Sequence, residues 1–597
     1  MHTQEQCKQP TNTNGDQHQG VFEFYQKILN AEKIENRLED KNISWVMIGK
    51  PTKNLIIYLL DKIHESSDLS VVMKCEKTAT DWASDIDKEY PDLSEKLKLI
   101  IENEGDLRLT AKIVAHGVDL KLHDGWLPLM ATDDSQDELR KIKDFFSYLG
   151  EFVNTKKVAE ATIAHLYPIS LENSLVNAAF LKENTLDSLK EKLDLKKPFL
   201  IVSAGPSLNK QLDVLSRNHK KFNIICASTV CGLLSQKGIS PDVILGLDPE
   251  TYVTWSDLPE SNIVLDVQVD PATVFSSREN CYVVAHNELF KNFVKTYTDT
   301  DIDVIESGGS IATSAYALAK RLGAAVIVFI GQDLAYTTGK LHADGYVGQT
   351  EEEDKNTIDN RATFEVPGFN GEAVLTDGAF LMFKTWFESQ FKLDKQIVVI
   401  NSTEGGLLLD GAANVEFQVV CNEVEKFNFI KSTREKGLKS TISHALDIKH
   451  LKKIKTKFLA FSKRMTDLIR LCERGLDLIN KNDDAENFDF EKLEKLNSKI
   501  SKSCKTENLM LHAYSHRHML NIQRKVVRVD QEDDALDHSM TLYKEIFEAT
   551  LASAKHSRDY VASVIGYYEM LINNDGNLDE ASGITNKLKE FSRLKNT

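Results

Sequence analysis

The sequence predicts an α/β protein built on a central doubly wound, mostly parallel, Rossmann-like sheet, with an α/β domain before it and a helical bundle after it. Two observations carry this. Between about Phe199 and Asp410 short runs of branched apolar residues alternate with helical patterns, the arrangement that produces right-handed βαβ crossovers. Beyond about Glu416 apolar residues recur three and four apart, as in a seam of packed helices. At 597 residues the chain is also too long for one core. The expected division is a lead-in over 1–19, an α/β domain over 20–197, the central domain over 198–415 and a helical domain over 416–597.

Residues 1–19 are polar and lack both the basic start and the apolar stretch of a signal peptide, so they read as a disordered lead-in. In the next domain Ser44–Ile48 and Leu55–Leu60 read as strands or short buried helices, whereas Glu95–Ile101 and Glu138–Leu149 have helical periodicity. Nothing there looks like a catalytic motif. Leu186–Lys197, which intersperses Leu with Lys, Glu and Asp, reads as a solvated helix leading into the centre.

The central domain opens with Phe199–Leu215, FLIVSAGPSLNKQLDVL. Phe199–Val202 is too short for a helix and suits a buried parallel strand. Gly205 allows a tight turn, Pro206 suits a first helical position, and Leu208, Leu212 and Leu215 follow at helical spacing. At such a junction the N–H groups of Ser207 and Leu208, with the Ser203 and Ser207 hydroxyls, can hold a phosphate. An ordinary βα turn explains the same residues, since the dinucleotide fingerprint needs three glycines and only Gly205 is present.

Ligands in open α/β sheets bind beyond the carboxyl ends of the strands, so the residues delivered there are the candidates. Phe222–Ala227 ends at Ser228 and Thr229. Val243–Leu247 delivers Asp248, Pro249 and Glu250, whose carboxylates can orient a hydroxyl, reach a metal through water or merely cap a turn. Ile263–Val267 and Cys281–Val284 continue the sheet, and His286 after the latter reads as a solvated loop residue. Val304 and Ile305 look strand-like, Gly308, Gly309 and Ser310 form a turn, and Ile311, Ala315, Leu318 and Leu322 share a helical face that Gly323 ends. The paired glycines admit backbone N–H groups to a phosphate or sugar, or serve tight packing. Val326–Ile330 follows, then a loop that crowds Asp333, Tyr336 and His342. Ile397–Ile400 delivers Asn401, which can recognise a base or sugar amide or cap the next turn.

These residues resemble the Maf family, the motility-associated factors that glycosylate flagellin. The resemblance rests on SAGPSL from Ser203, LDPE from Leu247, SGGSIATSAYALAKRLG from Ser307, IGQDLAYTTGKLHADG from Ile330 and NSTEGGLLLDG from Asn401. It implies transfer of a nonulosonic acid, such as pseudaminic or legionaminic acid, from its CMP-activated form to Ser or Thr of flagellin. The central domain also resembles bacterial sialyltransferases that use CMP-sialic acid. There the GPSL turn and a Gly-x-Asp strand end, matched by Gly331 and Asp333, flank the donor phosphate, with Tyr336 near one phosphate-holding tyrosine and His342 near another. Those enzymes place a histidine base further on, but this chain has no histidine between His342 and His444. The base stays open among Asp333, His342, Asp248 and Glu250, any of which must sit within hydrogen-bond reach of the acceptor hydroxyl.

Composition narrows the field. A net charge of -17 argues against a general nucleic-acid binder. Eight cysteines without CxxC or CxxH spacing disfavour a zinc module or disulfide scaffold and suit a reducing cytoplasm. No apolar run reaches membrane-spanning length. No tightly bound cofactor is expected: Asp301 and Asp303 precede their strand on the wrong edge for a metal, although Mg²⁺ can assist the phosphate. In the tail, Leu451, Ile454, Phe458, Phe461, Met465, Leu468 and Cys472 form a core stripe, and His512, His516 and His518 read as a solvated helix face rather than ligands. A bundle there suits docking of flagellin, a flagellin chaperone or a second copy. Two further readings are a diphosphokinase of the archaeal pterin type and a non-catalytic flagellar assembly factor.

Overall fold

The computed structural model describes residues 37–38, 40, 43–49, 51–102, 106–118, 125–131, 136–181, 185–250, 261–277, 280–345, 351–359, 361, 363–424, 446–481, 490–503, 509–515 and 535–576. The expected lead-in and His516 and His518 lie outside them. The chain forms two compact units, one of Met1–Thr162 with Gly475–Glu494 and Ser515–Ala549, the other of Ile163–Arg474 with Lys495–Tyr514 and Thr550–Thr597. These bounds differ from the expected divisions at 197 and 415.

The first unit contains β1 (Ile43–Gly49), α1 (Lys53–Lys62), β2 (Asp68–Met73), α2 (Glu76–Glu89), β3 (Leu97–Ile101), α3 (Leu107–Gly117) and β4 (Gly125–Ala131). All pairings are parallel, in the order β3-β2-β1-β4. Alternate side chains of β1 enter opposite cores, Trp45 and Met47 on one face and Val46 and Ile48 on the other, so helices cover both sides. One alternative is settled and one expectation changes. Leu55–Leu60 takes the helical of its two readings, in α1, whose start is fixed by the Thr52 side chain accepting from the Leu55 N–H. The stretch read as helical from Glu95 is strand β3 from Leu97, because alternation of Leu97, Leu99 and Ile101 matches a period of two and pairs with Leu69, Val71 and Met73.

The second unit carries β5 (Phe199–Val202), α4 (Leu208–Asn218), β6 (Asn223–Ala227), α5 (Cys231–Gln236), β7 (Val243–Gly246), β8 (Asn262–Asp266), β9 (Cys281–Val284), α6 (Glu288–Thr298), α7 (Ile311–Leu322), β10 (Val326–Ile330), β11 (Phe364–Pro367), β12 (Ala373–Thr376), α8 (Gly378–Leu393), β13 (Val398–Asn401) and β14 (Ala413–Asn414). Eight strands form one sheet, every pairing parallel, in the order β14-β13-β10-β5-β6-β7-β8-β9, while β11 and β12 form a separate antiparallel ribbon. The sheet is doubly wound. Leu200, Val202, Val326, Val328 and Ile330 face the core under α4, whereas Phe199, Ile201, Ile327 and Phe329 face the core under α7 and α8. Each such fully buried side chain contributes about 1.5–3 kcal/mol relative to exposure.

Three details depart from the sequence reading. Pro206 stands outside α4, which begins at Leu208 after Ser207. Val304 makes only an isolated bridge with Ala285, so the strand expected before α7 shrinks to a single contact. Leu186–Lys192 is a helix, but Leu186 and Leu189 are buried under the sheet rather than solvated. The tail stripe from Leu451 to Cys472 is core, every member at most 1% exposed.

Candidate ligand cleft

From β5 the chain winds through β6, β7, β8 and β9 to one side, then returns by α7 to place β10 on the other side of β5. The strand order reverses at β5/β10, and loops leaving a reversal diverge and open a crevice at the carboxyl edge. A cleft of about 310 Å³ lies there. It is lined by Ser203, Ala204 and Gly205 after β5, Cys226, Ala227 and Thr229 at β6, Ser310, Ile311, Ala312 and Ala315 of α7, and Gly331, Gln332, Asp333, Leu341 and His342 after β10, with Phe380 and Phe383 of α8.

The two turns at the reversal are clamped together. Ser207 donates its hydroxyl to Asp333 Oδ1 at 2.6 Å and its N–H to both carboxylate oxygens at 3.3 and 3.2 Å. The Gly205 N–H donates to the Gly331 carbonyl at 2.9 Å, and a Cβ at Gly205 would overlap Asp333 Oδ1. Burial pushes the Asp333 carboxyl above its ordinary range, opposed by the bonds from Ser207 and by the charge of Lys210. Ser203 Oγ donates to Gln332 Oε1 at 2.6 Å, and the Gln332 N–H donates to Thr403 Oγ1 at 3.2 Å. That polarity leaves the Gln332 amide nitrogen, a donor only, as the part of the side chain offered to the cleft.

The donors expected to hold phosphate at the first turn are therefore engaged: Ser207 serves Asp333, the Leu208 N–H serves the Gly205 carbonyl, and the Ser203 hydroxyl serves Gln332. At the second turn Ser310 and Thr313 form a capping box, with the Gly308 and Ser310 N–H groups donating to Thr313 Oγ1. A Cβ at Gly308 would overlap the Trp386 ring, so close packing under α8 accounts for that glycine. The Ile311 and Ala312 N–H groups, in the first turn of α7 on the cleft wall, have no acceptor within the helix. They bring the positive end of the helix dipole to the cavity.

Among the candidate site residues, Ser203, Gly205, Ser310, Asp333 and His342 line the cleft; Pro206, Ser207, Gly308 and Gly309 support its turns. Tyr336 is turned away. It is 3% exposed, donates its hydroxyl to Asp377 Oδ2 at 2.6 Å and accepts from Arg361 at 3.2 Å; burial, then Asp377, raises its phenol well above the ordinary range. Asn401 is fully buried, its side chain bonding Asn414 and the Thr403 N–H beneath the last strand. At β6 Thr229, not Ser228, reaches the cleft. Asp248 and Glu250 follow β7, outside the lining: Asp248 accepts the Glu250 N–H, and Glu250 pairs with His165 at 3.0 Å.

Sequence reasoning gave no role to Gln332, Phe380, Phe383, Arg361 or Asp377, although the loop ending at Asp377 and the aromatic helix over 379–391 were visible in it. Gln332 stood between two residues that drew attention, and the aromatic run in α8 gave no sign of which face meets a ligand. Among the described residues no group of three or more His, Cys, Asp and Glu side chains is arranged to hold a metal, and no helix is long and apolar enough to cross a membrane.

Comparison with known proteins places these motifs in context. An uncharacterized protein of Treponema pallidum (strain Nichols) is 27% identical over 197 residues, which covers 25% of this chain and 50% of that protein. The chain thus matches about half the length of that relative. The solved structure of a Maf glycosyltransferase from Magnetospirillum magneticum AMB-1 aligns over 92% of this chain and 82% of its own, with 13% identity and a TM-score of 0.49. The family model described as 6-hydroxymethylpterin diphosphokinase MptE-like matches residues 172–339, a span that holds both clamped turns.

Proposed function

We propose that this protein is a glycosyltransferase that takes a nonulosonic acid of the pseudaminic or legionaminic type from its CMP-activated donor and joins it to Ser or Thr of flagellin in the cytoplasm. The observation that carries this reading is the cleft at the β5/β10 reversal, whose walls combine amide donors with an aromatic face. A nucleotide of this class needs both. Its base and sugar rest on apolar and aromatic surface such as Phe380 and Phe383, and its phosphate needs donors that lose nothing on reorganisation.

As the bond from sugar to phosphate lengthens, charge gathers on the leaving oxygen. In this reading the Ile311 and Ala312 amides and the Gln332 side chain stabilise it, and His342 lines the same cleft. Asp333 is unsuited to proton transfer because both its oxygens are engaged by Ser207; its work is to hold the two turns at a fixed separation. The motif match from Ser307 to Gly345 supports the Maf-type donor and acceptor.

The match to the pterin diphosphokinase model favours a second reading, in which the same cleft positions a nucleoside triphosphate for diphosphate transfer. Thermal stability with CMP or with ATP separates the two, since a ligand that binds only the folded state raises the transition temperature. Stabilisation by CMP supports the first, by ATP alone the second. Stabilisation by neither favours a non-catalytic flagellar factor. Intact-mass analysis of flagellin co-expressed with this protein and a CMP-sugar pathway then tests transfer itself.

A further inference from the structure

We infer that Arg361 is the receptor for the carboxylate of the donor sugar and so selects an acidic sugar over a neutral one. The inference rests on the glycosyltransferase reading and deepens it on the sugar side. A nonulosonic acid linked to CMP brings two anionic groups to the cleft, a phosphate and, on the same sugar carbon, a carboxylate. In that reading the neutral amides of Ile311, Ala312 and Gln332 serve the first. The second needs a partner of its own, because a carboxylate taken out of water unpaired is costly. Among the described residues lining the cleft there is no Lys or Arg.

Arg361 stands one side chain behind that lining. It precedes β11, and the antiparallel pairing of β11 with β12, Phe364 opposite Thr376, brings it to Asp377, the N-cap of α8. The Asp377 carboxylate links it to the cleft wall: Oδ2 accepts from Arg361 Nη1 at 2.7 Å, and Oδ1 accepts the N–H of Phe380, a cleft residue, at 2.9 Å. A second route runs through Tyr336. Its hydroxyl accepts from the same Nη1 at 3.2 Å, and its ring is centred 5.3 Å from the Phe380 ring. Gln332 and Phe380 wall one cleft of about 310 Å³, so a sugar resting on Phe380 reaches from the phosphate donors to the side where the guanidinium stands.

The guanidinium is held in a receiving posture. It has five N–H donors in a planar fork. The two on Nη1 go to Asp377 and Tyr336, which are 4% and 3% exposed, and these bonds fix its plane. Nε and Nη2 make no hydrogen bond among the described residues, and 42% of the side chain is exposed. Their N–H groups form the edge that grips a carboxylate through two parallel bonds. A lysine here keeps the charge and loses that edge.

The test is calorimetric titration of the full-length protein with CMP, with CMP-pseudaminic acid and with the same nucleotide sugar after its carboxylate is converted to an amide. The unaltered protein should bind the acid roughly ten- to hundredfold more tightly than the amide. Arg361→Gln and Arg361→Lys should each lose most of that preference while binding CMP alone as the unaltered protein does. Arg361→Lys keeps a cation beside Asp377, so it supplies a folded variant should Arg361→Gln melt early. Equal affinity of the unaltered protein for acid and amide overturns the assignment without any variant, and so does a preference retained by either folded variant. Failure of the unaltered protein to bind CMP or CMP-pseudaminic acid overturns the glycosyltransferase reading and this inference together; binding of both without discrimination overturns this inference alone.

Discussion

Ser207 gives both its hydroxyl and its backbone N–H to the Asp333 carboxylate, joining the turn after β5 to the turn after β10 across 126 residues of sequence. The bond is buried at both ends, Ser207 at 1% and Asp333 at 3% exposure. Ser207→Ala removes the shorter contact and leaves the carboxylate one donor short. A loss of about 1–3 kcal/mol is expected in urea unfolding, with CMP affinity falling as the turns drift. Unchanged stability would show that the clamp does not stabilise the fold.

The glycines around Asp333 should divide sharply from glycines elsewhere. Gly406 has φ +68° and a Cβ there would overlap the Asp333 backbone; Gly238 has φ +69° and open space around it. Gly238→Ala meets only the left-handed backbone penalty of about 1–2 kcal/mol. Gly406→Ala adds a backbone collision and should unfold the central unit or abolish nucleotide binding, as judged by circular dichroism and thermal melts.

Burial raises the Asp333 carboxyl above its ordinary value of 3.8. The folded state therefore holds a proton that the unfolded chain has released, between 3.8 and the raised value. Stability linked to this group is greatest below 3.8 and falls as pH rises through the folded value. Asp333→Asn should remove that slope: its stability difference from the unaltered protein should change across mildly acid pH and flatten toward neutrality. Urea melts at several pH values measure it, and a constant difference would contradict the shift.

Tyr336→Phe separates structure from binding. The phenol serves Asp377 and Arg361, not the cleft. Its removal should cost about 1–3 kcal/mol of stability, since a buried acceptor loses a donor, while the CMP dissociation constant moves little. A large loss of affinity at unchanged stability would return the phenol to the ligand site.

The sheet was legible because buried parallel strands advertise themselves. Phe199–Val202 and Val326–Ile330 have no polar residue, and Gly323 marks the end of α7 with a left-handed cap. Strand β3 was hidden because Lys96 and Lys98 imitate the charged face of a helix. The location of the cleft was readable too, since the turns that define it carry the short motifs. Which side chains enter it was legible only in part: Ser203, Gly205, Ser310, Asp333 and His342 line it, whereas Tyr336 and Asn401 do not. Asp333 and Tyr336 are polar residues near a ligand edge, and only coordinates show that one clamps Ser207 and the other pins Arg361. His286 is the loop residue the sequence suggests, but its bond to Asp266, 20 positions away on another strand, was not legible.

The central claim is that CMP occupies the cleft at the β5/β10 reversal, and calorimetric titration of CMP into the full-length protein and into Thr229→Trp tests it most directly. Thr229 is exposed on the cleft wall, so an indole there fills the cavity without entering the core. Saturable binding by the unaltered protein, weakened at least about tenfold (1.4 kcal/mol) in the variant, is the predicted result. Equal affinity in both proteins, or no binding in either, would contradict it.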